Sequence, residues 1–552
     1  MSPLAPATGP WTLQHARHLM QRAGFGVHPE RLPELVAMGR EAAVDRLIEE
    51  SLRAPRPGQQ DWLPSMPDRA QLQQELRGLP AEEAQRRRNQ LLRENREAVK
   101  LLEIWWLERM AAPEAPLREK LALFWHSHFA TSAQKVRAAR LSYEMYGRLW
   151  WNGMGSFRDL TMSVAQSPAM MVYLDNIQNR RSQPNENFAR ELFELFTLGI
   201  GNYTETDIRE AARAFTGWTV VGGEFRFNRR QHDPGRKTIF GRSGNFGGED
   251  VVDMVMQHPA MSRWITGKLF AFFVHDHPSE ELRRDLAGAF MEERLVIWRW
   301  LRRVFLSEEF YSPQAMGTRI KSPAEFVTAL QIDLGTPIEE NVILNFAMQS
   351  LGQELFFPPN VRGWQEGRAW INTNTLLMRV NLVNYMVSGL VPNMAGPMAR
   401  RLRELAREAP PAAQPAARRS AAGWRERLER RRAMMGESAN LSDDPREPAM
   451  MDSMMQDPDG GEAPEALRVA PPLDLEAFMA GIPHESAETL MNALLHRFLG
   501  PERQLDAAQR EVLLEEARRA FVPAGHRPLA QTQEHQRGLL RMILSLAEYQ
   551  LC

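Results

Sequence analysis

The chain has 552 residues, with 68 Lys and Arg against 69 Asp and Glu and a formal net charge of −1. That balance gives no global case for nucleic acid or an anionic membrane as partner, and leaves only local basic clusters such as Arg430–Arg432 as candidate contacts. The one cysteine, Cys552, excludes an intrachain disulfide and a cysteine-built zinc site, and no run of about 18 apolar residues offers a spanning helix.

In chain order, the N-terminal MSPLAPATGPWTLQHARHL lacks a basic stretch followed by an apolar core, so no secretory leader is read and the sequence points to the cytoplasm. Helices are predicted over 11–23 with Thr12 as cap, over 29–38 and over 41–52. A Pro- and Gln-rich loop follows at 53–70, then a charged helical stretch to Glu108 that breaks near Gly78-Leu79-Pro80. In LREKLALFWHSHFATS, Leu117, Leu121 and Phe124 give helical periodicity leading to His126 and His128. On a helix these histidines point about 200° apart and cannot share a metal, whereas on an extended segment they could. Helices are expected again at 141–151, 157–167 and from Pro168.

The densest polar chemistry lies in PNENFARELFELFTLGIGNYTET, 184–206, read as one helix ending at Gly199 and Gly201, with Thr204 and Asp207 capping the next. Glu186, Arg190, Glu191 and Glu194 sit among Phe188, Leu192, Phe193, Leu195, Phe196 and Leu198. Their spacings of three and four put them side by side on a helix. They form either solvated ion pairs or a partly buried carboxylate–arginine cluster with shifted ionisation.

TVVGGEFRF is a hairpin signature turning at Gly222-Gly223. A long Gly- and charge-rich loop follows, with one strand expected at 238–240. Its His232, Asp233, Arg236 and Lys237 are candidates for an anionic or polar ligand, against the reading of a mobile surface loop. Helices are predicted at 251–257, 259–274, 280–307, 323–334, 339–351 and 376–391. A second turn-rich loop, GQELFFPPNVRGWQEGRAWINTNT, sets Arg362 and Arg368 beside Trp364 and Trp370, for ligand binding or for stacking. Residues 393–470, rich in Pro, Ala, Arg and Met, read as a flexible insertion, and 471–552 as amphipathic helices that pack back on the main body.

HLMQRAGFG, REKLALFWHSHFATS, PAMMVYLDN, PNENFARELFELFTLGIGNYTETDIREAARAFTGW, IKSPAEFV, FPPNVRGWQEGRAWINTNTLL and the terminal LAEYQL resemble segments of the bacterial family catalogued as domain of unknown function 1800. The resemblance covers roughly residues 11–392 and the last helical segment. It implies one large, mainly α, multi-helical domain over 1–392, with the hairpin near 218–228 and long ordered loops. It also implies a partner, since relatives are often encoded beside a sulfatase-like protein of family 1501, and export of this chain would need such a partner.

Two functions follow. One is an enzyme, metal-dependent or acid–base, with Glu191, Arg190 and His232 as catalytic candidates. Its substrate would meet Asp233, Lys237, Arg362 and Trp364, and a divalent metal would sit on His128 and Glu194. The other is a non-catalytic binding or assembly partner of the sulfatase-like protein. No HExxH, P-loop, GxSxG or GxGxxG motif is present.

Overall fold

The computed structural model describes residues 4–58, 60–65, 69–112, 114–335, 341–391, 467–468, 473–500, 505–522 and 530–552. The insertion expected at 393–470 lies outside the described residues except for 467–468. The molecule is mainly α.

Its architecture is set by two helices buried on every side. Pro116–His128 starts on proline, whose fixed φ suits the first turn, and buries twelve of its thirteen residues. Pro323–Leu334 is capped by a Ser322–Glu325 capping box and buries all twelve. Such helices must satisfy their charges inside the protein. Arg118 donates to the carbonyls of Ser51, Trp150 and Trp151. Glu119 accepts from Trp106 Nε1, Trp150 Nε1, the Tyr146 hydroxyl and Arg109 at 2.7–3.0 Å. Lys120 meets Glu325 and so joins the two helices directly.

Pro116–His128 is also the wall shared by two apolar cores. Leu117, Leu121, Phe124 and Trp125 face a core built with the N-terminal helices Leu13–Ala23 and Arg40–Arg53 and with residues between 136 and 315. Ala122 and Leu123 face a second core, made with Ala81–Ala111, Pro323–Leu334, Thr373–Ser388 and the C-terminal helices. Those C-terminal helices are Leu475–Met479, Ala487–Phe498, Ala507–Ala520 and Ala530–Ser545. The chain end is tied in by Tyr549, whose hydroxyl donates to Asp333 at 2.8 Å and whose carbonyl accepts from Lys321 Nζ at 2.7 Å. No helix among the described residues is long and apolar enough to cross a membrane.

The expected hairpin forms between Trp218–Val221 and Glu224–Phe227, with Val221 opposite Glu224 across Gly222-Gly223. The strand expected at 238–240 is Lys237–Ile239 and pairs with Arg242–Gly244, so it belongs to a second hairpin. Its turn residues Phe240 and Gly241 both have positive φ, and a phenylalanine there carries no turn signal. The helix expected over 280–307 is two, Glu280–Glu292 and Ile297–Phe305. Arg294 and Leu295 break it at φ 53° and 59°, again without Gly or Pro. The break is fixed from outside, because Phe157 N–H donates to the Leu295 carbonyl and Ile297 N–H to that of Gly155.

Candidate functional site

The stretch Asn187–Thr197 is not one regular helix. Asn187–Glu191 is α-helical and Leu192–Thr197 is a π turn. A π turn is rare and widens the ladder, so carbonyls are left for other partners. Here both Leu198 and Gly199 N–H groups donate to Phe193. The Leu195 carbonyl accepts Trp264 Nε1 at 3.0 Å and Lys268 Nζ at 3.4 Å, and the Phe196 carbonyl accepts His128 Nε2 at 2.9 Å. Gly199 makes this approach feasible: at φ 81° it leaves room for the Trp264 ring, which would lie 2.6 Å from a Cβ.

The loop after Ser350 is held against the same region by the histidine segment. His126 Nε2 accepts the Phe356 N–H at 3.0 Å, and the Phe356 carbonyl accepts Ala133 N–H at 2.8 Å. Both contacts hold Phe356 at φ 65°, a conformation that costs about 1–3 kcal/mol for a non-glycine residue. Gly363, φ 78°, packs so closely on Ser127 that a Cβ would lie 2.3 Å from its carbonyl oxygen. Trp364 N–H donates to Ser127 Oγ at 3.3 Å, and its ring packs edge-on against His126. Trp364 is therefore an anchor, and it presents Arg362 on one side and Glu366 on the other.

Arg362 reaches Glu194 at 3.4 Å, and the second Glu194 oxygen accepts from the Tyr203 hydroxyl at 3.3 Å. Burial raises the Tyr203 phenol to about 12, with the Glu194 charge adding to it. Glu191 is half-buried, and its carboxyl is pushed up by desolvation and then by Glu194, against the pull of Arg362 and Arg190. Burial brings Lys268 down to about 8; Glu366 opposes that fall and Arg362 adds to it. Lys268 also lies over the Trp264 ring, 4.7 Å from its centre. Glu366 keeps solvent contact, yet desolvation is the largest influence on its carboxyl and raises it, followed by the opposing Arg319, the reinforcing Glu325 and the opposing Lys268. Desolvation works against Glu325 too, but Arg319 and Lys120 overcome it and hold the carboxyl well below the usual range.

The expected residues divide. Glu191, Glu194 and Arg362 come together. Arg190 is taken up by Glu186 at 3.1 Å and Glu205 at 2.7 Å, which staples two helices at the surface. Neither His126 nor His128 pairs with a carboxylate of this cluster, although the Lys268 charge reaches His128. Burial holds His126 at about 3 and His128 well below the ordinary value, so both are neutral. Among the described residues no group of three or more His, Cys, Asp or Glu side chains is placed to hold a metal ion. His128 spends Nε2 on Phe196, and its Nδ1 is buried without a partner.

The loop from His232 to Lys237 is tied into itself. Asp233 accepts from Arg213 at 2.7 Å and from Gly235 N–H at 2.8 Å. Lys237 donates to the carbonyls of Asp233 and Gly235, and His232 Nδ1 donates to the Thr216 carbonyl at 2.9 Å. No hydrogen bond or ion pair among the described residues joins this loop to Glu191 or Glu194. Lys268, Glu366, Arg319 and Tyr203 were not singled out by the sequence. The available signal for Lys268 was a lone lysine inside the apolar run ITGKLFAFF.

The protein is mainly α, and Lys268, Glu191, Glu194 and Arg362 gather about a π turn. The chain belongs to the family described as protein of unknown function DUF1800, whose model matches residues 18–551. No curated protein and no solved structure matches it significantly.

Proposed function

We propose that the protein is an enzyme that performs acid–base chemistry on a small polar substrate between the π turn and the loop carrying Arg362 and Glu366. Lys268 takes and returns a proton near neutral pH. The Glu191–Glu194 pair is the second proton carrier, and Arg362 clamps an anionic group of the substrate. Glu366 and Arg362 set the charge around Lys268. One observation carries this reading: Lys268 and the carboxylate partner of Arg362 are both held on the same π turn. The metal-dependent form of this reading finds no ligand set among the described residues.

The test is a thermal-shift screen of small carboxylates and phosphates on the full chain, with hits followed for turnover by NMR. The account expects ligands that stabilise the wild type, lose their effect in Lys268→Met and Arg362→Met, and are converted only by the wild type. Docking to a sulfatase-like protein without catalysis predicts the reverse: no ligand responds, and the partner binds both variants as it binds the wild type.

A further inference from the structure

Several arginines near turns are paired with acids, as Arg213 is with Glu210 and Asp233, and Arg226 with Glu224. Four others stand in two neighbouring pairs. Arg180 and Arg181 stand in NRRSQ, Arg229 and Arg230 in NRRQ, and all four are exposed. Among the described residues none of them has an acidic partner, although the protein as a whole is nearly neutral.

The backbone brings the two motifs together. Arg181 N–H donates to the Gln231 carbonyl at 2.8 Å, and Gly217 links both segments, its N–H donating to Asn179 and its carbonyl accepting from Asn228. Gly217 is required at that crossing: it has φ 84°, and a Cβ would lie 2.6 Å from the Asn228 carbonyl oxygen. Between the segments opens a pocket lined by Asn179, Arg180, Trp218, Thr219, Asn228 and Gln231 among others. It offers amide and hydroxyl groups, an indole and a cationic fork, with no carboxylate in its wall. Asn179 is fixed in place by donating to the Ala212 carbonyl at 2.9 Å and accepting Asn185 N–H.

We propose that this pocket binds a phosphorylated small molecule of nucleotide or phosphosugar size. Arg180, the one arginine of the four in the pocket wall, takes the phosphate, and Asn228, Gln231 and Thr219 take the hydroxyl or base groups of the remainder. Unpaired guanidinium forks suit phosphate because they offer parallel donors at matching spacing. The walls of the pocket, polar and without a carboxylate, suit an anionic ligand. This site is independent of the Lys268 site, and either can fail without the other.

The test uses the full chain and ligand-observed NMR with calorimetry, on inorganic phosphate, a mononucleotide, its nucleoside, a hexose phosphate and a single-stranded oligonucleotide. The expected result is saturable binding of the mononucleotide or the hexose phosphate and none of the nucleoside. Affinity should fall as salt rises, and should fall about tenfold or more in Arg180→Gln/Arg230→Gln, matching the loss of a charged hydrogen bond. The variant's melting temperature serves as the control that it folds, and Arg86→Gln/Arg88→Gln serves as the control for loss of charge. The proposal is overturned if no phosphorylated probe binds, if the control variant loses affinity equally, or if only the oligonucleotide binds.

Discussion

Lys268 carries its charge where burial disfavours it, and this has a measurable sign. Its folded value, about 8, lies below its ordinary value of 10.5. Between those limits the unfolded chain holds more protons, so this group makes stability rise with pH there, by up to about 1.4 kcal/mol per pH unit. Urea denaturation of Lys268→Met should lack that rise. The histidines act at the acid end. His126 falls from an ordinary 6.5 to about 3 because it is buried, and its Nε2 lone pair is committed to Phe356. Its stabilising neutrality is therefore complete above pH 6.5 and is lost as pH falls toward 3. His126→Gln keeps an acceptor for Phe356 but does not titrate. Its stability should fall less steeply in that window, by about one proton, or about 1.4 kcal/mol per pH unit. At this scale the sequence left His126 and His128 open, a shared metal being excluded only on a helix, and the segment proves helical; on Lys268 it was silent. Its meaning depends on Glu366 and Arg362, each more than 90 residues away along the chain.

At the scale of elements, local chemistry was readable wherever it acts within a few residues. The Thr204–Asp207 capping box forms, with the Asp207 N–H donating to Thr204 Oγ1 at 3.1 Å, and the Gly222-Gly223 hairpin forms in the register its turn demands. The π turn was not readable, because Leu192–Thr197 has the composition of an ordinary helix. It is held by partners on other elements: Trp264, Lys268 and His128 take its carbonyls, and Gly199 admits the Trp264 ring. The same reason hid the break at Arg294-Leu295. Glycine substitutions separate backbone strain from crowding. Gly199→Ala and Gly363→Ala should each cost about 2–4 kcal/mol, since both meet strain and a close contact. Gly201→Ala, at φ 89° with nothing within 4 Å of a Cβ, should cost about 1 kcal/mol. Chemical denaturation of the three variants gives the comparison, and equal losses would contradict it.

Across the whole molecule, the site rests on charge buried between two cores. Lys120, Glu325 and Arg319 join Pro116–His128 to Pro323–Leu334, and Glu366 borders them from the solvent side. Removing the anion that bridges both cations leaves them without their direct partner, so Glu325→Gln should cost about 3–5 kcal/mol. Lys120→Met should cost less, because Arg319 and the Ser322 N–H, at 2.8 Å, still satisfy Glu325. Urea denaturation of both variants reads that order. The mainly α class followed from periodicity along the chain. The convergence of the π turn with the loop after Ser350 did not, because Glu194 and Arg362 are 168 residues apart and nothing local encodes their meeting.

The central claim is that Lys268 works as a titrating amine beside Glu366. The direct measurement is a pH titration of lysine side chains in the full protein by carbon- and nitrogen-labelled NMR, with the Lys268 signal assigned from Lys268→Arg. The expected midpoint is about 8, and it moves down in Glu366→Gln, since Glu366 holds it up. A midpoint at the ordinary 10.5, unmoved by Glu366→Gln, would contradict it.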